Sequence, residues 1–144
     1  MFFTLILSSF LTFVELNCEN LFDTRHDSLK NDYEFLPQSS YKWTPYRYWR
    51  KLANLSKAIV ALGYEDLSLV GTASPDNPSR PSEKSWHVPD FVALCEVEND
   101  SVLFDLTRRS ALRGVNYDYV MNDSPDERGI DVALLYQPSS FALI

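Results

Sequence analysis

The stretch Phe91-Val92-Ala93-Leu94-Cys95-Glu96-Val97-Glu98-Asn99-Asp100 decides how the rest of the chain is read. Phe91–Glu96 is a short apolar run of strand length, introduced by Pro89-Asp90 and closed by a charged cluster, which predicts a buried strand running into a loop. A second run of the same kind, Thr12–Asn17, lies far upstream and also ends in a polar cluster, Asn17-Cys18-Glu19-Asn20. In α/β architectures ligands gather beyond the carboxyl ends of strands, where side chains leave the core and face a crevice. Two strands that both end in carboxylates and amides therefore mark a candidate site.

Working outward, Cys18–Tyr41 reads as irregular, with Asp23, Asp27, Asn31, Asp32 and Pro37 as turn formers. A helix follows: Thr44 suits its cap, Pro45 its first turn and Gly63 its end. Tyr48, Leu52, Leu55, Ile59 and Leu62 recur at alternating steps of four and three, which defines one apolar face. Thr72–Pro89 is rich in proline and reads as an exposed loop. Ser101–Arg109 is a short helix with Val102, Leu103 and Leu106 inward, and Glu98, Asn99 and Asp100 serve as its cap. Tyr117–Met121 and Ile130–Tyr136 are strands joined by a polar turn, and Phe141–Ile144 begins a further strand. Strands alternating with helices place the chain in the α/β class, with helices on the face of a sheet.

A third cluster, Asp126-Glu127-Arg128-Gly129-Ile130-Asp131, precedes the strand Ile130–Tyr136. If that strand runs antiparallel to the other two, all three clusters meet at one rim. Oxygen donors there suit a hard divalent cation such as Mg²⁺, which keeps several waters and takes one or two protein carboxylates. Arg128 is placed to meet a phosphate oxygen bidentately.

Composition sets outer bounds. The 144 residues carry 13 basic and 20 acidic side chains, a net charge of −7. Phosphate contacts from Lys and Arg supply most non-specific nucleic-acid affinity, so this balance weighs against a dedicated duplex-DNA binder and says nothing against a small phosphoester. Arg47, Arg50 and Lys51 form the one local basic patch. Cys18 and Cys95 are too few for a disulfide framework or a zinc site and read as small buried hydrophobes, with a disulfide between neighbouring strands as the alternative. Residues 1–12 are apolar, lack a basic leader and are too short to span a bilayer. They read as a signal remnant, a buried strand or the product of a misplaced start, which leaves secreted, periplasmic and cytoplasmic locations all open. Residues 13–144 form the rest.

Three quoted strings carry a resemblance. Phe13-Val14-Glu15-Leu16-Asn17-Cys18-Glu19-Asn20-Leu21-Phe22-Asp23 resembles the first conserved strand of the endonuclease/exonuclease/phosphatase superfamily. Pro89-Asp90-Phe91-Val92-Ala93-Leu94-Cys95-Glu96-Val97-Glu98-Asn99 is similar to its second, and Arg128-Gly129-Ile130-Asp131-Val132-Ala133-Leu134-Leu135-Tyr136 to the strand after that. The resemblance implies half of a four-layer α/β sandwich with a mixed, mostly antiparallel sheet and helices on one face. It implies a Mg²⁺- or Mn²⁺-dependent hydrolase of phosphoester bonds. Glu96 then matches the metal-ligand glutamate, Asn17 the asparagine beside metal and scissile phosphate, and Glu19 an acidic position lending a second metal contact. Arg128 and Asp131 fall near the substrate. Cys95 stands where the family commonly has glutamine, so a hydrogen bond from that glutamine is absent here.

In the family's mechanism an aspartate-oriented water attacks in line and a histidine stabilises the developing charge. Those groups belong to Asp-x-Asn and Ser-Asp-His strings, and neither occurs in the 144 residues. His26 and His87 match no motif and read as surface histidines in loops. The expectation is therefore an amino-terminal part of the domain, inactive alone, whose partner is the remaining half of the same domain, with no obligate protein partner evident. The substrate is a nucleic acid, a phosphorylated small molecule or a lipid head group. The alternative is a non-catalytic binding module on the same sheet scaffold.

Overall fold

A computed structural model describes residues 11–65 and 86–142. Its centre is a four-stranded mixed sheet in the order β1-β4-β6-β5, where β1 is Phe13–Leu21, β4 Phe91–Val97, β5 Asp118–Met121 and β6 Asp131–Tyr136. The strands β1 and β4 are parallel, and β6 runs antiparallel to β4 and to β5. The condition set by the sequence is thus met: β6 begins at the rim where β1 and β4 end. Residues 1–10 and 66–85 lie outside the described residues, and with them most of Thr72–Pro89, read as an exposed loop.

Side-chain alternation makes the sheet two-faced. Val14 and Leu16 of β1 pair in register with Val92 and Leu94 of β4, which pair with Leu135 and Ala133 of β6. These side chains face a core completed by Tyr48, Leu52 and Ile59 of helix α1 (Pro45–Ala61) and by Val102, Leu103 and Leu106. Phe13, Glu15 and Val132 alternate with them and are exposed. At the far end from the rim, Thr12 and Asp90 clamp the two parallel strands. The Asp90 carboxylate accepts from the Thr12 backbone N–H at 2.8 Å and its hydroxyl at 2.9 Å, and the Asp90 N–H donates to Thr12 Oγ1 at 3.0 Å.

Helix α1 is capped by Thr44, whose Oγ1 accepts from the Arg47 N–H at 3.4 Å, and Pro45 occupies its first turn. Four of the five expected apolar positions pack inward. Leu62 instead falls at the C-cap and is exposed, because the helix closes one residue before the last position of the apolar period. The Ser101–Arg109 helix is shorter than read: α2 spans Asp100–Phe104, and Asp105–Arg109 continues as a wider π turn. Its cap is Asn99 alone, accepting from the Val102 N–H at 3.0 Å, while Glu98 turns inward. His87 is not in a loop. It pairs with Tyr64 in a two-stranded ribbon formed by β2 (Tyr64–Glu65) and β3 (Trp86–His87). Among the described residues no strand starts at Phe141, and 143–144 of the expected Phe141–Ile144 strand lie outside them; a turn from Gln137 lays the Phe141 ring on Phe91, with centroids 4.3 Å apart.

Candidate active site

The largest departure from the sequence reading builds the site. β1 does not end at Asn17 but continues to Leu21 through a bulge: between the pairs Asn17↔Cys95 and Leu21↔Val97, four steps of β1 run against two of β4. A second bulge sits beside it, since two steps of β4 from Cys95 to Val97 face one step of β6 from Val132 to Asp131. The residues that make these bulges have left-handed backbones, Glu19 at φ 51°, Asn20 at φ 62° and Glu96 at φ 63°. None is glycine; the two glutamates cost about 1–2 kcal/mol each, and Asn20 less, because its short polar side chain tolerates this region. Adjoining bulges re-aim side chains that a regular ladder would send to alternate faces. Strained backbone of this kind clusters at functional sites.

The re-aimed groups meet. Asn17 Nδ2 donates to Glu96 Oε1 at 3.0 Å, and the Asn20 N–H donates to Glu96 Oε2 at 2.8 Å. Asn17 Oδ1 in turn accepts from the Glu19 N–H at 2.7 Å, which fixes the amide's orientation. Lys51 reaches over from α1, its ammonium donating to the carbonyls of Glu19 and of Asn20, the latter at 3.3 Å. Burial pulls the Lys51 pKa below its ordinary value, against the opposing pull of Cys18, Glu19 and Glu96. Behind the rim, Cys18 is buried, and burial pushes its thiol up to about 12, so it is a packed hydrophobe rather than a nucleophile. Both cysteines are free thiols.

Of the five residues singled out from the sequence, the structure joins the side chains of Asn17 and Glu96, and Glu19 meets Asn17 through its backbone N–H. Asp131 and Arg128 sit at the start of β6 with partners of their own. Asp131 is buried opposite Val97 and its Oδ1 accepts from the Ser124 N–H at 2.6 Å, which locks the turn. Arg128 is exposed and its guanidinium pairs with Asp126 at 3.3 Å. Sequence reading missed Lys51 and Asn20. The helical pattern offered a signal for Lys51, a cation on the polar side of a helix that must pack near the rim; Asn20 gave none beyond its tolerance of left-handed backbone.

The donor set can be tested against a hard cation. Each Glu96 oxygen accepts one N–H, which leaves lone pairs on both, and Asn20 Oδ1 is a buried oxygen with no hydrogen-bond donor. Among the described residues no three His, Cys, Asp or Glu side chains converge as a cage. Oxygen donors in small number fit a hard divalent cation such as Mg²⁺ or Mn²⁺.

A second acidic group lies behind this rim. Glu98 is 8% exposed, and its Oε2 accepts from the Asp23 N–H at 2.6 Å. Burial, with Asp23, Asp32 and Asp27 nearby, raises its pKa from 4.5 to about 8. Asp32 is itself buried and accepts from the Asp27 N–H at 2.8 Å while bonding His26 Nδ1. His26 is thus a loop-ordering residue, not a free surface side chain. The four aromatics before and at the start of α1 divide: Trp43, ahead of the Thr44 cap, is buried with Nε1 donating to the Phe22 carbonyl at 2.9 Å, and Tyr48 is buried and donates to Asp105 at 2.9 Å, whereas Tyr46 and Trp49 stay exposed.

Paired bulges thus present a carboxylate and an amide together at the carboxyl ends of two parallel strands. Residues 12–144 match the family model described as Endonuclease/Exonuclease/phosphatase family, and the chain belongs to that family. Its class is therefore phosphoester hydrolase, in a family generally dependent on a divalent metal. No curated protein and no solved structure matches the chain significantly.

Proposed function

We propose that the chain carries part of the active site of a Mg²⁺- or Mn²⁺-dependent phosphoester hydrolase, with Glu96 as the principal metal ligand. The observation that supports this most directly is the 3.0 Å hydrogen bond from Asn17 Nδ2 to Glu96 Oε1, between two paired parallel strands at the point where their regular register breaks. In this reading Asn17 orients the carboxylate and offers its amide to a phosphoryl oxygen. The Asn20 N–H holds the second oxygen of Glu96, and Glu19 lends a further contact through water. A bound divalent cation supplies positive charge against the charge that develops on a phosphoester. Arg128, exposed at the neighbouring turn, is placed for substrate by exchanging Asp126 for a phosphate.

The water-orienting aspartate and the histidine that resemblance implies have no counterpart string in the 144 residues. The chain by itself is therefore expected to bind metal without turning over substrate, the rest of the site coming from other residues of the same domain. The substrate is a phosphoester of a nucleic acid, small molecule or lipid head group.

The test is Mn²⁺ titration of the 144-residue chain, followed by the spectroscopic signal of the free ion. Wild-type protein is expected to bind, and Glu96→Gln to weaken binding at least about tenfold, in the range seen when groups supporting a metal site are lost. Asp118→Asn, remote on β5, should leave it unchanged. Equal affinity in wild type and Glu96→Gln overturns the assignment. Metal-dependent hydrolysis of bis-p-nitrophenyl phosphate by the wild-type chain alone would show instead that these residues suffice for chemistry.

A further inference from the structure

The ammonium of Lys51 and the carboxylate of Glu96 lie on opposite ends of one peptide group. The Glu19 carbonyl and the Asn20 N–H belong to the same peptide plane; Lys51 Nζ donates to its oxygen, and its N–H donates to Glu96 Oε2 at 2.8 Å. Lys51 Nζ also reaches the next carbonyl, that of Asn20, at 3.3 Å. The lysine itself is held: its ammonium sits 5.4 Å from the centroid of the Trp43 ring, whose Nε1 is anchored on the Phe22 carbonyl.

We infer that Lys51 is a positioning residue for Glu96, acting through the Glu19–Asn20 peptide. Three features carry this. Both residues flanking the peptide are left-handed, so the plane needs external support to keep its orientation. A cation on the carbonyl polarises the group and strengthens donation from its N–H, since linked hydrogen bonds reinforce one another away from bulk water. The second bond, to the Asn20 carbonyl, prevents the neighbouring peptide from rotating. Removing Lys51 lets the Glu19–Asn20 plane flip, which would aim a carbonyl oxygen at Glu96 in place of an N–H. The carboxylate is then left with Asn17 alone and loses its fixed direction.

The bearing of this on metal rests on the reading of Glu96 as a ligand, but the test does not. Amide hydrogen exchange of the metal-free 144-residue chain reports on the peptide directly. In Lys51→Met the Asn20 amide is expected to exchange at least about tenfold faster, the lower end of what a hydrogen bond to a charged group contributes. The amides of Val92, Leu94 and Leu135 should keep wild-type rates, and Lys51→Arg, which retains charge and donors, should restore protection at Asn20. Unchanged Asn20 exchange in Lys51→Met overturns the inference. Should that variant lose protection throughout the sheet, the wild-type chain decides. A Lys51 ammonium with slowly exchanging protons and through-bond coupling to the Glu19 carbonyl supports the clamp, and a freely exchanging one refutes it. A chain with an intact clamp that binds no Mn²⁺ would refute the proposed function alone.

Discussion

Glu96 offers a measurement in which the usual ranking of alanine and glycine should invert. Replacing Glu96 by alanine removes the acceptor for Asn17 Nδ2 at 3.0 Å and for the Asn20 N–H at 2.8 Å. Hydrogen bonds to a charged group contribute about 1.5–3 kcal/mol each when buried. The Asn17 bond is exposed and the Asn20 bond only part-buried, so the pair together is worth about 2–3 kcal/mol, within that single-bond range. Alanine keeps the left-handed backbone of φ 63°. Glycine loses the same hydrogen bonds but relieves strain of about 1–2 kcal/mol. Against this stands the extra freedom of the unfolded glycine chain, about 0.4–1 kcal/mol. The difference leaves Glu96→Gly more stable than Glu96→Ala by about 0.5–1 kcal/mol. At Ala93, on the same strand with an ordinary backbone, glycine should cost about 0.5–1 kcal/mol. Urea unfolding of the three variants, followed by tryptophan fluorescence and far-UV circular dichroism, measures both comparisons. If Glu96→Gly proves less stable than Glu96→Ala by as much as Ala93→Gly falls below wild type, then the bulge stores no strain and the argument from backbone geometry fails.

Two further outcomes follow from groups behind the rim. Glu98 holds its proton to about pH 8 in the folded chain against an ordinary value of 4.5, so the folded state binds the proton more tightly. Stability is therefore undiminished below pH 4.5, falls as pH rises between 4.5 and about 8, and levels off above it. The slope approaches at most about 1.4 kcal/mol per pH unit. Glu98→Gln keeps an acceptor for the Asp23 N–H and should flatten this profile in thermal melts taken from pH 5 to 9; an identical slope in wild type and variant would refute the assignment. Asn99→Ala, which deletes the cap on Val102 N–H and a 3.4 Å bond to Asp23, should cost about 1 kcal/mol in urea unfolding, and a neutral effect would show that water caps the helix equally well.

What was legible in the sequence was set by period and by short local signals. The helix capped by Thr44 and the strands around Val92, Leu94 and Leu135 announced themselves through apolar spacing, because burial on one or both faces imposes that spacing directly. Asn17, Glu19 and Glu96 were legible as a group through their resemblance to family strings. Their meeting at one rim followed from strand order, but the two bulges that aim them were not legible, because a bulge is a mismatch between strands far apart in the chain. Glu19 and Glu96 adopt left-handed backbones that their residue type disfavours, so local propensity pointed elsewhere. The end of the regular helix at Phe104 and the pairing of His87 with Tyr64 were likewise decided by tertiary contacts that no single segment carries.

The knot tied by Thr12 and Asp90 at the opposite end of the sheet has a consequence for how such a chain can change over time. From Phe13↔Phe91 to Asn17↔Cys95 the two strands advance in step with no slack. Gaining or losing one residue anywhere in that span of β1 would rotate the Asn17 amide onto the helix-covered side, out of reach of Glu96. The spacing between the clamp and the amide therefore matters to the site as much as the amide itself. Inheritance of the site requires the anchoring threonine–aspartate pair and the amide–carboxylate pair to travel together, like two marks on one measuring stick.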